Sequence, residues 1–191
     1  MAWDTEGTKR RLLDAAVDEF AEHGPAGARV DRIAKSAGVN KERIYQYFDD
    51  KDGLFQAVLD SELLKLAAAN PLTPEAAKDL GAYAGRAFDY HRDHPHYLRL
   101  LRWEGLADDP SLAVSEERHA HYREKIEAIA AAQAKGAIPG DLDPGALMYA
   151  VIALAAWWFV TPSAALKVGR DVDMADRRAI TVELARRLTT P

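Results

Sequence analysis

Between Lys41 and Gln46 the chain sets a lysine, a glutamate, an arginine, a tyrosine and a glutamine around a single apolar residue, Ile44. The chemistry available to that set is hydrogen bonding to nucleic acid. Arginine can grip guanine through two parallel bonds, glutamine can pair with adenine, glutamate can accept from cytosine, and tyrosine and lysine can hold phosphate. Such reading requires a helix that turns Ile44 and Phe48, four apart, inward and leaves the polar residues out. The competing reading is a solvated helix in a helical corner that touches no DNA.

The residues before this helix are those needed to seat it. Val30, Ile33, Ala34 and Ala37 form the inner face of a short helix, Gly38 supplies a residue able to take positive φ, and Asn40 can cap the next helix. Ala34 is small enough for two axes to cross closely, with Val39, Ile44 and Phe48 filling the corner. A helix-turn-helix is therefore predicted over residues 29–48. Asp49 and Asp50 stand where a further helix needs a cap, which suits them better than a metal pair.

Helix signals continue along the whole chain. Nine helices are predicted, at about 5–23, 29–37, 41–47, 51–69, 74–93, 95–107, 111–135, 144–159 and 174–188, with breaks at Gly38, Pro71, Pro95, Pro110, 136–139 and Pro162. The first carries Leu12, Leu13, Ala16, Val17 and Phe20 on one stripe and stops at Gly24-Pro25. No stretch alternates as a strand would, so the fold should be all-α. The short link at 70–73 suggests that the fourth helix joins an N-terminal three-helix unit rigidly to a C-terminal helical bundle.

The stretches IAKSAGVN, IYQYF and DKDGLFQAV resemble the signature of the tetracycline-repressor (TetR) family of bacterial regulators over about residues 8–60. The resemblance implies a nine-helix dimer, a DNA-binding domain at 1–50 and a ligand-binding and dimerisation domain at 51–191. It places Lys41, Arg43 and Gln46 at base edges or adjacent phosphates, and Tyr45, Tyr47 and Lys51 on the phosphate backbone. Two positions depart from the family pattern. Ala28-Arg29 leads into the second helix without a hydroxyl cap but with a guanidinium where phosphate would lie. Glu42 replaces a small residue and is assigned to specificity.

In the bundle, Tyr83, Phe88, Tyr97, Trp103, Tyr122 and Trp157 are candidates to line an apolar effector pocket, or are plain core. A projection of 95–107 puts Arg99 and Arg102 outward and Glu104 inward with Tyr97, Leu100 and Leu101. Glu104 then either pairs with a buried arginine or tyrosine or anchors a polar ligand. The helix at 144–159 is apolar around most of its circumference, which suggests a partner. Met148, Val151, Ile152, Leu154, Ala155 and Trp158, with Ile180, Leu184 and Leu188, are expected on a two-fold face.

Other chemistries find little support. His91, His94, His96, His119 and His121 include no pair at i, i+4, so no metal is expected, and no cofactor motif is present. The serines lie in no nucleophile context, so an enzyme is not expected, although a small all-α enzyme or a protein-binding scaffold is the alternative. The chain contains no cysteine, which suits a reducing cytoplasm. Residues 1–11 lack an apolar leader, and the most apolar run, 146–160, falls short of the roughly 17–25 residues of a membrane span. Net charge is −5, and even residues 1–59 hold nine Lys and Arg against eleven Asp and Glu. DNA binding must then rest on local placement of charge. The expected partners are a palindromic double-stranded operator, a small-molecule effector and a second copy of the chain.

Overall fold

A computed structural model describes residues 5–106, 115–168 and 172–189. Among these, ten α-helices and one 3-10 turn (Ala76–Lys78) account for the regular structure, with no strand: α1 Thr5–Gly27, α2 Val30–Ala37, α3 Glu42–Phe48, α4 Lys51–Ala69, α5 Leu80–Asp93, α6 Pro95–Leu106, α7 Glu116–Ala134, α8 Pro144–Val160, α9 Pro162–Val168 and α10 Met174–Arg187. The all-α expectation holds. The tenth helix arises because Pro162 opens α9 rather than breaking the chain. Its missing N–H falls at a position with no intrahelical partner, as it also does for Pro95 and Pro144. The helix expected at 74–93 is split at Asp79, whose carboxylate caps α5 by accepting from Ala82 N at 2.9 Å. The expected break at Pro110 and helix start at Ser111 lie outside the described residues.

The chain divides into two compact units, the first comprising Met1–Lys65 with His96–Ser115, the second Leu66–Pro95 with Glu116–Pro191. In the first, Leu12, Ala16, Val17 and Phe20 of α1 meet Ile33, Ala34 and Ala37 of α2, Ile44 of α3, Leu54, Phe55, Val58 and Leu59 of α4, and Leu100 of α6. Phe20 meets Phe55 edge-on at 5.0 Å. Each large side chain buried here contributes about 1.5–3 kcal/mol. Compactness thus places most of α4, and α6 from His96 onward, with α1, α2 and α3, whereas the division expected from the sequence falls at 50/51.

The Gly24-Pro25 stop signal appears as a kink. Gly24 takes φ +67°, after which the chain makes one more turn, with Ala28 N donating to Gly24 O at 2.9 Å. The Trp103 indole lies where a side chain on Gly24 would begin, and its Nε1 donates to Ala21 O at 3.4 Å.

In the second unit α5 packs against α8 and α10, and α7 packs against α8. Leu80, Tyr83, Ala84, Ala128, Ile129, Leu147, Met148, Val151 and Ala185 form its core. Arg178 on α10 holds both carboxylate oxygens of Asp89, and Arg186 those of Asp79. Among the described residues no helix is long and apolar enough to cross a membrane, and no group of three His, Asp or Glu side chains is placed to hold a metal.

Candidate nucleic-acid interface

The turn between α2 and α3 is built as its residues require. Gly38 takes φ 64°, ψ 36°, its N–H donates to Lys35 O, and Val39 N donates to Ala34 O at 3.0 Å, so α2 ends with its carbonyls satisfied. The start of α2 holds the feature that sequence reasoning missed. Arg29 makes no side-chain cap. Instead Glu19 of α1 accepts from Arg29 N at 2.7 Å and from Arg32 Nε at 2.9 Å. Burial by itself would raise the Glu19 pKa, but the Arg32 and Arg29 donors outweigh it and hold the carboxyl below its ordinary value.

Asn40 meets its expected role, its Oδ1 accepting from Glu42 N at 3.3 Å. Ile44 is fully buried, and Phe48 packs against the same core. Arg29, Asn40, Lys41, Glu42, Tyr45 and Gln46 are exposed, while Arg43, Tyr47 and Lys51 are half-buried. Arg43 donates to Gln46 Oε1 at 2.7 Å, one turn along, which presents the two side chains as a unit. Lys41 pairs with Asp31 of α2 at 3.2 Å, and Lys51 Nζ reaches Ala28 O at 3.5 Å. The Tyr47 ring lies against the core with Lys9 of α1 over it at 5.7 Å. Lys9 adds a cation to this face that the local motif did not reveal.

Of the seven expected effector residues, three lie in the first unit and four in the second. Trp103, half-buried Glu104 and buried Tyr97 lie on α6 in the first unit, where Trp103 packs on α1. In the second unit Phe88 is core against Phe159, with ring centroids 4.9 Å apart. Tyr83 and Tyr122 come close: burial first, and the neighbouring Tyr122 second, push the Tyr83 hydroxyl up to about 12. Trp157 is 60% exposed and lines an open apolar groove of about 740 Å³ with Ala150, Ala153, Leu154, Trp158, Ala164, Ala165, Leu184, Arg187 and Leu188.

The expected two-fold face needs correction on α8. Met148, Val151 and Ala155 are buried within the protomer, and Ile152 is partly so, because α5, α7 and α10 cover that side. Trp158 is likewise tied down, its Nε1 donating to Thr181 Oγ1 at 3.0 Å. The exposed large side chains of α8 are Tyr149 and Trp157. Ile180 and Leu184 of α10 and Leu188 just beyond it, four apart, are all exposed.

Comparison with known proteins accords with this geometry. Residues 12–58 match the model of bacterial regulatory proteins of the tetR family, and residues 79–187 match the tetracyclin repressor-like C-terminal domain. The HTH-type transcriptional repressor SCO4008 of Streptomyces coelicolor is 42% identical over 84% of this chain and 83% of its own length. The HTH-type transcriptional repressor NicS of Pseudomonas putida is 29% identical over 93% of this chain and 87% of its own. The crystal structure of SCO4942, a transcriptional regulator from S. coelicolor, superposes with TM-score 0.79 at 35% identity, covering 95% of this chain and 98% of that one. The chain belongs to the TetR family of helix-turn-helix transcriptional regulators, DNA-binding proteins and not enzymes.

Proposed function

We propose that two copies of this chain bind a palindromic operator and repress transcription in the cytoplasm, and that a small molecule held in the C-terminal bundle releases or retunes them. Two recognition helices then enter successive major grooves, with half-sites about one helical turn or a multiple apart. Residues 1–50 supply the reading head, residues 51–191 the pairing and effector functions. The observation that carries the DNA reading is α3 itself, where burying Ile44 turns Lys41, Glu42, Tyr45 and Gln46 outward and Gln46 holds Arg43.

Pairing is supported by the apolar groove and by exposed Trp157, Leu184 and Leu188, a contiguous surface of the kind that marks an association site. Repression follows the role for which SCO4008 and NicS are named. An effector acts only through its preference between two arrangements of the DNA-reading heads. Selection of bound sequences from a random duplex pool at two salt concentrations tests the reading. Enrichment of a two-fold symmetric site is expected, and no enrichment at low salt rejects it.

A further inference from the structure

We infer that the effector carries a carboxylate and that Lys125 is its counter-charge, an assignment that rests on the effector-responsive reading above. Arg118, Tyr122, Lys125, Ile129 and Ala132 succeed one another at spacings of four and three along α7, so they share one face. That face is turned inward: Ile129 and Ala132 are core, Lys125 is 6% exposed and Arg118 5%. Lysine is almost never buried so far without a partner.

Lys125 Nζ makes no hydrogen bond or ion pair among the described residues, and it lies over the Tyr122 ring, 5.9 Å from the centroid. Glu124 is the nearest acid along the chain, but its side chain is 73% exposed and lies beside His121 at 3.7 Å. Among the described residues of this unit the buried polar ones are Asn70, His91, Arg118, Lys125 and Thr181, none of them a carboxylate. From α5 the facing titratable group is Tyr83, kept protonated by burial, and the cation above it is Arg86 at 5.9 Å.

Burial disfavours the ammonium and holds its pKa below the ordinary lysine value, outweighing the opposing charge of Glu124. A ligand carboxylate reverses that balance by adding a charge-assisted bond in a site of low polarity. Tyr83, a phenol that stays protonated at neutral pH, adds a donor suited to an acidic ligand and unsuited to a cationic one.

The test uses the full chain, its selected operator and three pools matched in carbon skeleton: six- to twelve-carbon monocarboxylic acids, their primary amides and the corresponding amines. Each pool is assayed for a rise in melting temperature and for operator release, with wild type, Lys125→Met and Lys125→Arg. The acid pool is expected to raise the melting temperature by several degrees and release the operator. Lys125→Arg should keep the response, and Lys125→Met should need about tenfold or more acid, while binding operator normally without any pool. Equal response of Lys125→Met and wild type to the acids overturns the assignment, because the ammonium then serves only to reach water. Action of the amides or amines without the acids overturns the carboxylate but leaves effector control standing. Silence of all three pools, with operator binding intact, counts against effector control itself.

Discussion

Acidification from about pH 7 to about pH 5 is expected to weaken the fold through one residue of α5. His91 is 3% exposed, set between Tyr90 and Phe159 with ring centroids 6.3 and 6.4 Å away. Burial, and next the charge of His94, push its imidazole from 6.5 down to about 4. Between those values the unfolded chain binds a proton that the folded chain refuses, so stability falls as pH falls. The linkage amounts to about 2 kcal/mol lost by pH 5 and approaches about 3 kcal/mol below pH 4. Glu19, Glu62 and Asp79 have pKa values lowered in the fold, so their contributions are present above the ordinary carboxylate range and are lost only beneath it, outside this window. Urea unfolding at fixed protomer concentration, stepped across this range, should show a falling midpoint for the wild type and a nearly level one for His91→Gln. A wild-type midpoint that stays level, or a variant that falls just as steeply, refutes the reasoning.

Other perturbations test other parts of the molecule. Gly24→Ala puts a Cβ on a left-handed backbone 2.7 Å from the Trp103 ring, and should cost about 1–3 kcal/mol, read as a lower melting temperature; an unchanged one would show that the kink relaxes freely. Arg43→Ala should cost about 1–3 kcal/mol on the selected operator and relax discrimination at one base pair, whereas Lys51→Ala should weaken all sequences alike and lower the salt slope by about one. Uniform loss from Arg43→Ala in competition binding would remove its base-reading role. Leu184→Glu places a charge in the groove on a residue that is 42% exposed, and sedimentation should show dimers for the wild type and protomers for the variant; dimers of both would place the pairing face elsewhere.

The reading head is legible in the sequence because its determinants are local. The inner face of α2, the turn at Gly38, the cap at Asn40 and the burial of Ile44 depend on residues within a few positions of one another. The α8 face is not legible. That helix is apolar on every side, so periodicity cannot tell buried Met148 and Val151 from exposed Tyr149 and Trp157; the choice is made by α5, α7 and α10. That Trp103 meets a glycine about eighty positions away is not legible either, because aromatic character does not say which neighbour a ring will meet. Proline is an equally ambiguous sign, since Pro162 opens a helix where a break is expected. The position of Lys125 is legible in principle: projecting α7 puts a lysine in register with Ile129 and Ala132, a conflict between charge and position.

The carboxylate of Glu19 fixes the residue that leads into α2, a helix with no side-chain cap of its own. A hydroxyl at position 29 would accept from an N–H inside the first turn of α2; Glu19 instead takes the N–H of residue 29 itself, from ten residues upstream across a tertiary contact. The short second helix therefore has no stable beginning until α1 has docked beside it. Assembly of the helix pair becomes a single event, and a fragment starting at Val30 would fray from its first turn. The order in which the reading head forms is thus set by a side chain outside the motif that reads.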